Sequence, residues 1–325
     1  MSSSSLEKSS TKQYAVINFE VSSANNGSRF DHFLVQHISG SSRTLLNQSI
    51  RRGLIRVNGA EKKSSYKLKI GEIITGTLYV PAAPTLKPQK IPFPILYEDG
   101  DLLIISKPPG LVVHPAHGNP DGTLVNGLLY HCQEIAGVGD DVRPGIVHRL
   151  DKDTSGIKVV AKTVQSHRLL SEEFKARRVD KEYLSLVRGI FKEKKGRIVA
   201  NIDRHPINRK KMAVCDEGRG RYAVSNWQVL EEYAGLWSLV RVKIETGRTH
   251  QIRVHMISLG HPVAGDKLYG RGRDAMQFPR QMLHAHRLQL SHPVTKELIS
   301  FTAPLWDDFK QIRDGLRSTG YEMIS

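Results

Sequence analysis

Cysteine is scarce in this 325-residue chain: Cys132 and Cys215 stand alone and far apart. Two such thiols supply neither a disulfide framework nor a paired zinc knuckle. Long apolar runs are missing as well. Leu102–Ser106 is a short run of the buried-strand type, far from the roughly 18 residues that a membrane span requires. The Ser-rich start, Met1–Ser5, has no apolar stretch behind it and reads against a secretory signal peptide. Acidic residues are the third deficit, with 32 Asp and Glu facing 48 Lys and Arg for a formal charge of +16. These absences exclude a disulfide scaffold and a membrane-spanning chain. They predict a cytoplasmic protein with a polyanionic partner, nucleic acid before acidic lipid, because no basic amphipathic helix appears.

Enough apolar sequence is present for a sizeable core: 39% of residues are hydrophobic. The length suggests two domains. The positive charge is concentrated, since residues 51–90 hold nine Lys and Arg against two acidic residues. After a polar tail, 1–14, this basic stretch belongs to a small α+β unit. Ala15–Val21 alternates like a strand. Arg29–Ile38 puts Phe30, Phe33, Leu34 and His37 on one helical face. Ser41 or Ser42 can cap a second helix, Arg43–Arg52, with Leu45, Leu46 and Ile50 inward and Gly53 as its stop. Leu54–Val57 then meets Asn58-Gly59, a type I′ hairpin signal, and a basic strand is expected over Glu61–Ile70. This order, with Arg51-Arg52 ahead of Leu-Ile-Arg-Val-Asn-Gly, resembles the S4-like RNA-binding domain. The resemblance implies an RNA-facing surface carrying Arg51, Arg52, Arg56, Lys62 and Lys63, within a domain spanning 15–80.

Five prolines between Pro81 and Pro94 predict a semi-rigid linker over 81–94. From residue 95 to 325 short strands and helices alternate without a regular βαβ rhythm. Leu102–Ser106, Gly156–Ala161, Tyr183–Arg188 and Leu236–Ile244 read as strands. Helices are expected from Thr123 and around Val164, Leu170 and Phe174. The expected fold class is α+β, with a mixed, mainly antiparallel central sheet and flanking helices.

Two segments concentrate polar chemistry. His148–Gly156 packs two basic groups, two carboxylates and two hydroxyls ahead of an apolar strand. A polar loop whose Asp and Thr satisfy backbone groups accounts for such a composition. Asp151 and Asp153 are too close in sequence to serve as a glycosidase pair held across a sugar. In Thr246–His255, Gly247 ends a strand, Thr249 can cap a helix, and Ile252, Met256 and Leu259 form its buried face. His250 and His255 diverge on a helix and do not suit a metal, and no metal is expected. Arg253 near a helix N-terminus sits unfavourably for a cation, which predicts an anionic partner beside it.

Together with Lys181-Glu182-Tyr183, His261–Asp266, Lys107–Gly110, Arg204-His205-Pro206 and Leu283–Leu288, these segments resemble the pseudouridine synthases of the RluA/RluD type. The match is collinear over about 15–310. The resemblance implies an isomerase that breaks the N1–C1′ bond of a uridine in RNA and rejoins the base through C5, without a cofactor. It implies Asp151 as the essential carboxylate, acting as nucleophile or as base, and Arg253 as its counter-ion. Tyr183 becomes the aromatic beside the uracil, Ile252 a wall of the base pocket, and Arg149 a candidate to fill the space left by the flipped base. The expected partner is large-subunit rRNA or the assembling large subunit, met by a monomer; the same chemistry on tRNA, or a noncatalytic RNA-binding assembly factor that has kept the fold, are the alternatives. Arg209, Lys210 and Lys211 are further candidate RNA contacts.

Overall fold

The computed structural model describes residues 16–38, 43–78, 86–116, 118–216, 218–270, 272, 278–318 and 321–323. The chain divides into two compact units, Met1–Pro84 and Thr85–Ser325. The polar tail, Ala15, Ser41, Ser42, His117 and the first five residues of the expected linker lie outside the described residues.

In the first unit, β1 (Val16–Glu20), α1 (Phe30–His37), α2 (Arg43–Arg51), β2 (Ile55–Val57) and β3 (Ile73–Thr77) follow one another. The strands pair antiparallel in the order β1-β3-β2. Phe30, Phe33 and Leu34 of α1 and Leu46 and Ile50 of α2 cluster with Ile55, Val57 and Ile74, as helical and strand periodicity dictate. His37 lies outside that core and stacks its ring on Phe33 at 4.0 Å. Asp31 is buried and accepts bonds from Arg29 at 2.9 Å and Arg43 at 3.0 Å, which ties the two helices together. Those bonds, Arg29's first, outweigh burial and hold the Asp31 carboxyl down to about 2. Asn58 and Gly59 take φ of 48° and 74°, the backbone of a type I′ turn.

The basic strand expected over Glu61–Ile70 does not form. Its carbonyls serve the start of α1 instead: Phe30 N–H donates to Tyr66 O at 2.8 Å and Asp31 N–H to Ser64 O at 3.0 Å. Of the ten residues only Leu68 is buried. One apolar anchor among four lysines cannot fix a strand against a core.

The second unit runs β4 (Ile95–Glu98), β5 (Leu102–Lys107), α3 (Leu124–His131), β6 (Gly139–Asp140), β7 (Arg143–Pro144), β8 (Ser155–Ala161), α4 (Val164–Lys175), β9 (Asp180–Arg188), β10 (Lys195–Arg204), β11 (Met212–Cys215), β12 (Arg221–Tyr233), β13 (Trp237–Ile244), α5 (Gln251–Ser258), β14 (Leu283–Ser291), β15 (Leu298–Thr302), α6 (Asp307–Ser318) and β16 (Tyr321–Met323). Eleven of these strands form one sheet in the order β11-β10-β12-β13-β9-β14-β8-β5-β4, with β15 on β14 and β16 on β12. Within it β8 and β14 run parallel, and the other pairings are antiparallel. The molecule is therefore α+β with a mainly antiparallel sheet and flanking helices, as its sequence predicts. β5 and β8 are buried along their whole length, which explains their continuous apolar character.

Residues 86–94 do not hang free as a spacer. Asn126 of α3 donates its side-chain N–H to Lys87 O at 2.9 Å, and its own carbonyl receives Gln89 N–H at 2.9 Å. Leu86 and Phe93 pack with Leu124, Val125 and Leu128. Helix α4 stops at Lys175, and Val164, expected on its inward face, is exposed to solvent at 66%.

Two glycines fix how the sheet centre meets the loops before and after it. Gly156 on β8 has φ +105°, and a Cβ there would stand 2.1 Å from the Ala285 carbonyl oxygen of β14. Gly265 has φ +71°, and its Cβ would fall 1.9 Å from Arg280 O. Both positions require the absence of a side chain.

Candidate active site

The loop 148–154 leads into β8, Tyr183 lies on β9, and α5 begins a few residues beyond β13. These three elements line one open cavity of about 720 Å³, with Asp151, Tyr183, Ile252, Arg253, Arg149 and His250 on its wall. The structure thus brings the predicted catalytic and base-pocket residues into one place.

Arg253 is the hub. Its Nη1 donates to Asp151 Oδ2 at 2.9 Å, while Nε and Nη2 form a fork on Asp266 at 2.7 and 2.9 Å. Its guanidinium also lies over the Tyr269 ring, 4.9 Å from the centroid. Asp266 is almost wholly buried and accepts Leu268 N–H at 2.9 Å and Tyr269 N–H at 3.1 Å, so its carboxylate is a fixed anchor. Burial alone would lower the Arg253 pKa. Asp266, and after it Asp151, outweigh that effect and raise it. The expected anionic partner is therefore two carboxylates, one held still and one facing the cavity.

His250, unassigned from the sequence, completes the seat of Asp151. It occupies the left-handed region at φ 56° and forms the N-cap position of α5 in place of the expected Thr249. Its Nε2 is 3.8 Å from Asp151 Oδ2, and its Nδ1 is 2.8 Å from the Tyr269 hydroxyl. Met212 N–H donates to that hydroxyl oxygen at 2.7 Å. Burial first, and then Arg253, pull the His250 pKa down despite Asp151, so the ring is held neutral. Among the described residues, both polar contacts of the Asp151 carboxylate fall on Oδ2.

The start of α5 is tied down by Gln251 rather than by a cap. Its side-chain carbonyl accepts Arg248 N–H at 3.0 Å and the Thr246 hydroxyl at 2.7 Å, and its amide donates to Val224 O and Ser225 Oγ. Ile252 and Met256 are buried as expected, but Leu259 is 38% exposed.

Buried cations hold the loop around Asp151. Lys107 Nζ donates to the carbonyls of Pro108, Leu111 and Lys152 at 2.7 to 2.9 Å. Lys158 Nζ donates to His148 O. Burial brings both amines down to about 7. Arg280 donates to Asp153 O at 3.1 Å and to Ser155 Oγ at 3.1 Å while paired with Asp308, and Gln281 donates to Thr154 Oγ1. Both sides of the carboxylate are clamped through main-chain oxygens. From sequence, Lys107 is visible only as a member of the Lys107–Gly110 segment of the resemblance, with no role, and Lys158 only as a polar position in a strand.

Tyr183 is 8% exposed. Burial, and after it the charge of Asp151, push its phenol pKa up, so it stays protonated at neutral pH. His148 stacks on Phe174 with centroids 4.8 Å apart and accepts Val159 N–H through Nε2, a framework role. Arg149 is exposed on the cavity wall.

The remaining cationic candidates are spread out. Arg209, Lys210 and Lys211 lie between β10 and β11, with Lys211 5.8 Å from the Tyr269 ring centroid. In the first unit Arg51, Arg52 and Lys63 are exposed, Arg56 bonds Glu61 at 3.3 Å, and Lys62 lies over the Tyr66 ring. Among the described residues no group of three His, Cys, Asp or Glu is placed to hold a metal. No helix there is long and apolar enough to cross a membrane.

Residues 101–258 match the family model described as RNA pseudouridylate synthase. The RNA pseudouridine synthase YlyB of Bacillus subtilis is 40% identical over 304 residues, covering 94% of this chain and 99% of that protein. The ribosomal large subunit pseudouridine synthase D of Pseudomonas aeruginosa is 42% identical over 304 residues, covering 90% of this chain and 92% of that protein. Among solved structures, human RNA pseudouridylate synthase domain containing 1 aligns with a TM-score of 0.55 at 29% identity, over 71% of this chain and 97% of that one.

Proposed function

Since the chain belongs to the RNA pseudouridylate synthase family, and is an isomerase acting on uridine in RNA, we propose that it modifies large-subunit rRNA with Asp151 as the reacting carboxylate. The observation that carries this reading is the Asp151–Arg253 pair, held open to a nucleotide-sized cavity beside Tyr183. The printed names of relatives such as the Pseudomonas synthase support large-subunit rRNA as the substrate.

The reaction moves one bond. The N1–C1′ bond breaks, the uracil turns, a C5–C1′ bond forms, C5 gives up its proton and N1 gains one. Nothing is added or removed overall, so no co-substrate is required. Asp151 works in its ionised form, attacking C1′ or removing a sugar proton, and the guanidinium of Arg253 favours that form. With Oδ2 held by Arg253 and facing His250, Oδ1 is the oxygen that reacts. Tyr183 meets the base as a neutral phenol, which suits it to stack on the ring and pass a proton rather than to store a negative charge. Ile252 walls the base pocket. Arg149 fills the place of the extruded uridine, whose unstacking costs about a few kcal/mol.

The basic N-terminal unit, read as S4-like, offsets that cost through phosphate contacts from Arg51, Arg52, Arg56, Lys62 and Lys63, with Arg209, Lys210 and Lys211 contributing from the catalytic unit. The protein acts as a cytoplasmic monomer on rRNA or an assembling large subunit.

The test is pseudouridine formation by the purified chain on deproteinised large-subunit rRNA and, separately, on total tRNA. The wild type is expected to modify the rRNA. Asp151→Asn is expected to lose at least about 10³-fold in rate while binding the same RNA within about threefold, because phosphates supply the affinity. Full activity of that variant would sink the role of Asp151; modification of tRNA alone would sink the substrate.

A further inference from the structure

Three arginines that the isomerisation does not use crowd one part of the cavity wall. Arg177, Arg221 and Arg248 all line the same cavity as Asp151, and all three gather around Tyr222. The Arg177 guanidinium lies over the Tyr222 ring, 5.6 Å from its centroid. Arg248 Nε donates to the Tyr222 carbonyl at 3.1 Å. Arg221 is the preceding residue on β12. These contacts use the flat face of one guanidinium and the Nε of another, leaving the Nη donors of Arg248 and the edges of Arg177 directed elsewhere.

Such an arrangement is electrostatically unfavourable for the protein alone. Burial and then the charges of Arg221 and Arg177 pull the Arg248 pKa down, a sign that like charges are held close in partly desolvated surroundings. Among the described residues no carboxylate stands within ion-pair distance of any of the three. Glu245 is the acidic neighbour on that wall, and it is taken up by Asn226 at 3.0 Å and Arg197 at 3.2 Å. The backbone fixes two of the three: Arg177 is left-handed at φ 61° after the end of α4, and Arg248 N–H is bonded by Gln251. The cluster is built and cationic: Glu245 feels the charge of Arg177, but among the described residues none of the three arginines has an ion pair with a carboxylate.

We propose that Arg177, Arg221 and Arg248 form a binding site for one RNA backbone phosphodiester close to the uridine that enters the Asp151 cavity. The oxygens of a single phosphate can accept from all three guanidinium groups at once, its charge offsetting part of their mutual repulsion, and the forked donors of arginine match that geometry. The site would fix the strand at the cavity mouth, so that the nucleotide beside it enters with its ribose toward Asp151. It rests on the chain acting on RNA and is independent of whether Asp151 is the reacting group.

The test is equilibrium binding of the full chain to an eight-nucleotide oligouridylate across a KCl series. Single-strand binding loses about 0.7 in the slope of log K against log salt for each phosphate that is no longer neutralised. Arg221→Gln, Arg248→Gln and Arg177→Gln should each weaken binding about five- to tenfold. The triple variant should lower the slope by about 0.7 in total, because one phosphate is shared. Arg168→Gln, on the outer face of α4, should leave the slope unchanged and controls for general charge. Arg→Lys at the same three positions keeps the charge and should restore the slope with weaker affinity. Unchanged affinity and slope in the triple variant would overturn the proposal, as would a slope loss near 2, the mark of three separate phosphates. As this readout is binding alone, its failure would leave the isomerase assignment standing.

Discussion

Arg253 divides its donors between two carboxylates, and the buried one determines where it points. Asp266 sits in a turn that Gly265 makes possible, and two main-chain N–H groups hold its Oδ1. Replacing Asp266 with Asn removes the charge that fixes the guanidinium. Arg253 would then remain buried with one partner and a freer orientation. The expected result is a fall in kcat/KM of about 10- to 100-fold with an unchanged circular dichroism spectrum; an unaltered kcat/KM would show that Asp266 is only structural. The sequence made Asp151 and Arg253 legible through the resemblance and through a cation at a helix N-terminus. It left Asp266 as one member of a motif and His250 unassigned, because neither spacing nor composition reveals which side chain shares a guanidinium or an imidazole across a fold.

Elements with a strong apolar period, such as β5, β8, β13, α1 and α2, were legible because burial alone specifies them. Glu61–Ile70 was not, since its alternation lacked apolar residues to bury, and its carbonyls were claimed by α1. The start of α5 was misread for a related reason. A buried glutamine satisfies the turn, and His250 takes a left-handed backbone that no simple N-cap signal encodes. At this scale the joint between β8 and β14 is the sensitive point. Gly156→Ala would drive a Cβ into Ala285 O and strain a φ of +105°. The parallel pair would part, displacing the loop that carries Asp151. Denaturant unfolding should reveal a loss of about 2 kcal/mol or more together with loss of activity; wild-type stability would contradict so close an approach of the two strands.

The whole molecule combines a strongly positive chain with buried neutral histidines. Burial lowers His255 and His284 to about 4, against about 6.5 for an unfolded histidine. Their folded pKa values are depressed, so the stability they contribute is complete above about pH 6.5 and is lost as pH falls toward 4. Each is worth on the order of 2–3 kcal/mol across that window. Thermal unfolding followed from pH 7.5 to 4.5 should show the midpoint dropping below pH 6.5, and His284→Gln should flatten the fall; a midpoint independent of pH in that range would contradict it. The surplus positive charge is the means of holding RNA, on this reading, and one carboxylate the means of changing it. That division is tested most directly by mapping pseudouridines in large-subunit rRNA from cells lacking this gene, complemented with the wild type or with Asp151→Asn. The account predicts that discrete sites vanish in the deletion, return with the wild type and stay absent with the variant. An unchanged map in the deletion, or sites restored by Asp151→Asn, would contradict it.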